Sequence, residues 1–307
     1  RVAMAFAAFG SGSAQEHKAP TKSSRIVFAL LMPGLVYLGL FFFTPLFSLV
    51  VTSLEVPAAS GGIGEYEYGF AWENYVTAIT TYMPQILRSF MYATIATIIA
   101  LLISYPLAYF IGVKLRTRPM LQRLMLVLVI APFFISFLLR TIAWKQIFSD
   151  GGAIMQAVYS LGLLDTSEHF LGTDAAVIFG LTYNFIPFMT LPLFTTLERF
   201  DVRLLEAGSD LYASPAKVFR KVTLPLSMPG IISGTLLVFI PIAGDYVNAG
   251  QNFLGSSKTS MIGTIVDTEF LQTQDYPIAS SLSVMLMAVI VALVAFYIRS
   301  SGTEDLL

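Results

Sequence analysis

Six apolar stretches, each close to the length that crosses a lipid bilayer, constrain this chain more than any other feature. A transmembrane helix needs about 20 mostly apolar residues, and a helix pairs every backbone polar group within the hydrocarbon. The sequence therefore predicts an all-α integral membrane protein with six transmembrane helices. The predicted spans are 26–54, 86–113, 124–143, 175–197, 229–243 and 277–298.

Composition excludes several other classes of protein. Hydrophobic residues make up 56% of the 307 positions and charged residues only 12%, too few to keep the surface of a soluble domain wet. The net charge of −1 offers no basic field for nucleic acid. The chain has no cysteine, and its two histidines, His17 and His169, lie far apart, so we expect no metal site and no thiol chemistry.

Basic residues set the predicted orientation. With both termini in the cytoplasm, fourteen of the 18 lysines and arginines fall on the inner side, and only Arg88, Arg140, Lys145 and Lys258 fall outside. Short cytoplasmic loops carry such an excess of positive charge. We therefore expect a multi-pass membrane protein, with residues 1–25 as a flexible cytoplasmic tail, a six-helix transmembrane domain over 26–298 and a cytoplasmic tail over 299–307.

Prolines occur within most of the predicted spans. Each removes a backbone hydrogen bond, so the sequence predicts a kink or an interruption at every one of them. Most would only bend the helix; some could shape a pathway. The prolines are Pro33, Pro45, Pro106, Pro132, Pro187, Pro192 and Pro241.

Residues 198–225, which we term the charged segment, separate the fourth and fifth predicted spans. Asp201 is a suitable N-cap for a helix over 202–211, and Ser214-Pro215 is a typical helix start for a second helix that Leu224-Pro225 would end. The sequence thus predicts two short helices joined by a tight turn. They would either lie as an amphipathic loop in the lipid headgroups or dock onto a soluble partner.

The charged segment resembles the EAA loop of ABC-importer permeases, whose pattern is Glu-Ala-Ala, three residues, Gly, nine residues, then Ile-x-Leu-Pro. Matching positions hold Glu206, Ala207, Val222, Leu224 and Pro225. Two positions depart from the pattern: one has glycine for the second alanine, and one has tyrosine for the turn glycine, although tyrosine resists a positive φ. The resemblance implies an ATPase-coupling role for Glu206, Ala207, Gly208, Asp210, Leu211, Tyr212 and Ser214.

A narrower resemblance extends over most of the chain. Residues 104–109, 132–144, 183–189, 197–201 and 258–263 are similar to the PotB-type permease subunits of spermidine/putrescine importers. This resemblance implies an ATP-binding-cassette ATPase homodimer, a second related permease and an external solute-binding protein as partners, besides membrane lipid. It also implies that ATP and Mg²⁺ are bound by the partner ATPase and that this chain binds no cofactor.

A solute pathway is expected where polar or aromatic side chains occur near the outer ends of the spans. Such groups are costly in lipid and usually face a pathway or a partner. For a polycation the useful groups are a carboxylate and aromatic faces. Alternatively, the aromatic residues form an interfacial belt and the arginine extends outward. The candidates are Arg140, Trp144, Tyr183, Asn184, Asp245 and Tyr246.

No hydrolase, metalloprotease or dinucleotide motif occurs, so we expect a chain without a catalytic site. Two rival interpretations remain open at this point. One is the same importer architecture with another small solute, such as a sugar, an opine or an organic acid. The other is a secondary transporter that works alone, which should have inverted repeats and ionisable residues at the middle of its spans.

Overall fold

The computed structural model describes residues 23–162, 165, 167 and 169–300. The chain divides into two compact units at Ser48 and Leu49. The predicted tails lie mostly outside the described residues, although the first helix already begins at Ser23 and the last ends at Ser300.

The first unit and the start of the second hold two α-helices and a small hairpin. Helix α1 (Ser23–Leu38) continues through a π-helical turn (Gly39–Phe43) into α2 (Thr44–Thr52). Strands β1 (Val56–Pro57) and β2 (Tyr66–Glu67) then pair antiparallel, with Val56 opposite Glu67. This two-residue hairpin is an addition to the helical fold that the sequence predicted.

The rest of the described chain is helical. Its helices are α3 (Glu73–Tyr109) with a π turn (Phe110–Lys114), α4 (Pro119–Ile130) with a 3-10 turn (Ala131–Phe134), α5 (Phe137–Ile147), α6 (Ala153–Ser160) and α7 (Asp174–Glu198). They continue with α8 (Arg203–Asp210), α9 (Pro215–Val218), a π turn (Phe219–Thr223), α10 (Leu224–Leu226) and α11 (Met228–Ala243). A 3-10 turn (Ser257–Thr259), α12 (Ile262–Thr268), a π turn (Glu269–Thr273) and α13 (Tyr276–Ser300) complete the chain.

Within the described residues, four helical stretches are long and apolar enough to cross a membrane: 27–52, 73–114, 174–198 and 276–297. Two bent pairs raise the number to six if each pair is one span. The helical membrane fold that the sequence predicted is thus confirmed. The helix that contains the second predicted span, 86–113, begins earlier than that span, at Glu73.

Proline acts differently in different helices. Pro132 lies in the 3-10 turn between α4 and α5, which are bent by 92° to each other, so the third predicted span falls on two helices. In contrast, Pro187 and Pro192 lie within α7, which continues through both, and Pro241 lies within α11. Of the two predicted outcomes, an interruption is therefore absent at Pro187, Pro192 and Pro241, and a kink at these positions stays a prediction.

The core of the second unit forms where α3, α7 and α11 pack together. Small residues bring these helices close: Ala93, Ala96 and Ala100 of α3 are fully buried. On α11, Gly230 and Gly234 share a face, and a Cβ at Gly234 would lie 2.7 Å from Met189 Sδ on α7. Small residues spaced by four are typical of close helix packing in membranes. This packing fixes the two helices that flank the charged segment.

Candidate functional site

The charged segment folds into the two short helices that the sequence predicted. The carboxylate of Asp201 accepts a hydrogen bond from Arg203 N at 3.0 Å, as an N-cap does. Helix α8 follows, and α9 begins with Pro215 directly after Ser214, whose backbone is extended. The first helix start therefore has ordinary cap chemistry, whereas Ser214 makes no side-chain cap hydrogen bond and the second start depends on its extended backbone and on Pro215.

The turn between α8 and α9 depends on two unusual positions. Tyr212 has φ 54°, in the left-handed region that glycine adopts at no steric cost, so this turn has the expected geometry without the expected residue. Gly208 lies against Val218, because a Cβ there would be 3.0 Å from Val218 Cγ2. The glycine that replaces the second alanine thus lets α8 pack closely on α9.

The exit of the charged segment differs from the prediction. Leu224-Pro225 does not end the second helix; the π turn carries the chain on into α10, and the bend of 63° to α11 comes at Ser227. A π turn changes the hydrogen-bond register, and Pro225 at the start of α10 needs no backbone donor. Residues 215–226 therefore form a helical arm that leads from the turn after α8 directly to α11.

Two side chains, Tyr105 of α3 and Arg116 just after its π turn, hold the charged segment and its exit. The Arg116 guanidinium donates to Phe200 O at 2.6 Å, and the hydroxyls of Tyr105 and Ser227 are hydrogen-bonded at 2.9 Å. The Tyr105 ring also packs edge-on against Phe219. The segment is thus held at both its entry and its exit.

Apolar side chains on the charged segment are exposed. Leu211 is 81% exposed and Tyr212 is 99% exposed. Of the seven predicted coupling residues only Gly208 is half-buried; the others are exposed, namely Glu206, Ala207, Asp210, Leu211, Tyr212 and Ser214. A rigid, charged surface with exposed leucine and tyrosine at its tip suits contact with a protein.

A buried chain of polar side chains lies at the other end of α7 and α11. Asn184 Nδ2 donates to Thr141 Oγ1 at 3.3 Å and to Asn248 Oδ1 at 3.1 Å. Asn248 in turn donates from its backbone N and its Nδ2 to the two carboxylate oxygens of Asp245, at 2.7 and 3.1 Å. Gly180 of α7 makes room for Asn248, because a Cβ there would lie 2.6 Å from Asn248 Oδ1.

Burial governs the charge of Asp245, which lies two residues after Ala243, the last residue of α11. The side chain is 7% exposed and has no basic partner among the described residues. Loss of hydration raises the pKa of Asp245 to about 6, although the hydrogen bonds from Asn248 oppose the shift. Both oxygens serve the polar chain, so in this conformation Asp245 stabilises the loop after α11.

Arg140 of α5 is also buried, at 7% exposure. Its Nε and Nη1 have no hydrogen-bond partner among the described residues, and its guanidinium carbon lies 5.8 Å from the centre of the Phe137 ring. The predicted outward extension of this arginine is therefore absent from this conformation. A buried guanidinium without an anion is costly.

Trp144 and Tyr183 belong to an aromatic cluster. Their ring centres are 5.1 Å apart, and Trp144 also contacts Phe148 and Phe179 at 5.3 and 4.7 Å. In this conformation, therefore, these two rings pack against other aromatic side chains. The structure brings Asn184 and Asp245 into one polar chain and Trp144 and Tyr183 into one cluster.

Tyr246 behaves differently, since it is 52% exposed and lines two cavities of about 580 and 590 Å³. Asp267 of α12 lines both cavities as well, and we did not select it from the sequence. One sequence signal could have identified Asp267: it lies four positions after Gly263, so the two residues share a face of a short helix. Within the described part of the chain, no three histidine, cysteine or acidic residues are grouped closely enough to hold a metal ion.

Comparison with known proteins gives a consistent result. Residues 101–301 match the family model described as binding-protein-dependent transport system inner membrane component. The chain is 34% identical over 279 residues to the spermidine/putrescine transport system permease protein PotB of Haemophilus influenzae, covering 91% of each chain. It is also 34% identical to PotB of Escherichia coli K12, covering 86% of this chain and 94% of that one.

A solved structure supports the same fold. A chain of a bacterial ABC transporter involved in the import of the acidic polysaccharide alginate aligns with a TM-score of 0.67 and 17% identity. The alignment covers 92% of this chain and 97% of that chain.

Proposed function

Because this chain belongs to the family of inner-membrane components of binding-protein-dependent transport systems, we propose that it is a permease subunit of an ATP-driven importer of polyamines. The observation that carries the proposal is the 34% identity to a spermidine/putrescine permease over 91% of both chains. At that coverage about nine-tenths of each chain is compared. The protein is a multi-pass component of a bacterial inner membrane.

In this proposal the charged segment is the coupling element. Its two helices are rigid, since Gly208 packs on Val218 and Arg116 holds the entry. Its exposed tip, with Leu211 and Tyr212, would lie in a groove of a partner ATPase. Closure of an ATPase homodimer around ATP and Mg²⁺ would then push α8, and the arm 215–226 would pass the movement to α11.

The other partners follow from the division of labour. In this proposal an ATPase homodimer supplies the ATP-binding site, and an external solute-binding protein supplies the solute receptor. A second related permease is the remaining partner. Both termini lie in the cytoplasm in this proposal, which places the charged segment there as well. The excess of basic residues in the predicted inner loops supports this orientation.

The solute would pass near the outer ends of α5, α7 and α11. Polar and aromatic groups gather there around Asn184, Asp245, Trp144 and Tyr246, with Arg140 beside them. In the conformation described here both Asp245 and Asn184 are hydrogen-bonded to Asn248. We propose that the transport cycle opens this polar chain and presents it to the solute.

The coupling role is tested by Glu206→Arg and by deletion of residues 206–212, with the tagged permease purified from cells that express all subunits. We expect the ATPase to be lost from both preparations, whereas Glu73→Arg, an equal change of an exposed acid at the start of α3, keeps it. Undiminished ATPase with the Glu206 variant would refute the docking. Uptake of labelled spermidine in a deletion strain tests the solute.

A further inference from the structure

Two cavities near the outer end of α11 share part of their lining. The cavity of about 590 Å³ is lined mainly by polar residues, and the one of about 580 Å³ mainly by apolar residues. Tyr246 and Asp267 line both. Among the lining residues Asp267 is the one with a charge, so a single carboxylate lies where a polar and an apolar cavity meet.

The packing of α12 explains why Asp267 lies there. A Cβ at Gly263 would lie 2.4 Å from Gly244 O and 2.7 Å from Asp245 O, so the backbone of α12 touches the loop after α11. Residues four apart share a face of a helix. Asp267 therefore follows one turn along the face that contacts this loop, beside Tyr246.

Hydrogen-bond acceptors are in excess at this position. The carboxylate of Asp267 has no hydrogen bond or ion pair within the described residues. The Oε1 atom of Gln85, which lines the polar cavity, is buried and also lacks a partner in the described part of the chain. The two nearby basic side chains are engaged elsewhere, because Lys145 donates to Asn252 O and Arg88 donates to Ser260 O.

We propose that Asp267 and Tyr246 hold an ammonium group of the transported solute. A carboxylate and an exposed aromatic face together bind an alkylammonium by charge pairing and by cation–π contact. Polyamines alternate ammonium groups with short methylene chains, which matches a polar cavity beside an apolar one. The proposal rests on the proposed function and names the residues that would select its solute.

The test uses the complete importer, reconstituted into proteoliposomes, and measures the KM for spermidine uptake. We expect Asp267→Asn to raise the KM about tenfold, the equivalent of one lost charged contact, with the ATPase still bound. Asp267→Glu should restore much of the affinity, and Glu73→Gln, the loss of an exposed acid away from both cavities, should leave the KM unchanged.

A second measurement covers the case in which the asparagine variant fails to assemble. The chain has no cysteine, so Asp267→Cys places a single thiol in the cavities. We expect spermidine to slow its modification by a maleimide and a neutral diol of similar length to leave the rate unchanged.

The possible failures are distinct. An importer with the wild-type chain that takes up no polyamine would refute the proposed function and this inference with it. Normal uptake by the wild type together with an unchanged KM for Asp267→Asn would overturn this inference alone. Equal rates of thiol modification with and without spermidine would also overturn this inference alone.

Discussion

Gly208 and Val218 meet where α8 packs on α9: a Cβ added to Gly208 would lie 3.0 Å from Val218 Cγ2. That is closer than ordinary van der Waals contact, so a larger residue at position 208 must move its neighbour. The contact holds the tip of the charged segment against the helical arm that leads to α11. The proposed coupling role of this segment therefore requires a small residue at position 208.

Gly208→Leu is expected to push α8 from α9, at a cost of about 1–3 kcal/mol for an overpacked contact. We expect at least a tenfold loss of bound ATPase when the tagged permease is purified. The double variant Gly208→Leu with Val218→Ala should recover much of it, because the smaller side chain vacates the space. Gly151→Leu, at a glycine with open space around it, serves as the control. Equal ATPase in all four preparations would contradict the packing argument.

Tyr212 is expected to lower the stability of its turn and to strengthen binding to the ATPase. A non-glycine residue in the left-handed region costs about 1–2 kcal/mol, and this ring is almost wholly exposed. Tyr212→Gly should therefore raise the Tm of the isolated permease in detergent yet weaken its binding to the ATPase. Tyr212→Asn, which tolerates this φ but lacks the ring, should bind as weakly. Full binding by both variants would show that the ring makes no contact with the partner.

Asp245 makes stability depend on pH in a stated direction. Its pKa is about 6 in the folded protein, above the ordinary value of 3.8, so between these values the folded state binds more protons than the unfolded one. Stability therefore falls as pH rises from about 4 to 6 and levels off above that, a loss of about 3 kcal/mol in all. Asp245→Asn should flatten this part of the profile of Tm against pH. An unchanged profile would place the titration elsewhere.

Arg140 is expected to limit the stability of the isolated chain. Its guanidinium is buried, with two nitrogen atoms unpartnered within the described residues, and a buried unpaired charge costs more than an apolar side chain of similar volume. Arg140→Met should increase the free energy of unfolding by about 1–3 kcal/mol. The Tm in detergent should rise accordingly. Arg88→Met, which removes a hydrogen bond to Ser260 O, should lower it. A lower Tm for Arg140→Met would indicate that the guanidinium has a partner.

The sequence located some elements closely, and physical reasons are evident. The fourth span was predicted at 175–197 and α7 runs from Asp174 to Glu198, because charged residues bound the apolar run on both sides. The charged segment was predicted for a similar reason, as its caps and polarity interrupt an apolar chain. In α3, by contrast, residues 73–85 mix polar and apolar side chains, and their helix is stabilised by packing that a hydropathy pattern does not contain.

Other features depend on contacts between distant residues. Pro132 breaks its helix by 92° whereas Pro187 is accommodated within α7, although both are prolines in apolar surroundings. The position of Asp267 beside Tyr246 depends on the contact of Gly263 with the loop after α11, and a local sequence pattern does not contain that contact. Asp245 was a reasonable choice by chemistry, but its partner Asn248 occupies both its oxygens.

The location of the charged segment tests the account most directly. In this cysteine-free chain, Leu211→Cys can be labelled with a membrane-impermeant maleimide in intact cells and in inverted membrane vesicles, with Tyr68→Cys as the control on the predicted outer side. The account predicts that residue 211 is labelled only in inverted vesicles, less so when the ATPase is bound, and that residue 68 is labelled in intact cells. Labelling of residue 211 in intact cells would contradict the coupling role of the charged segment.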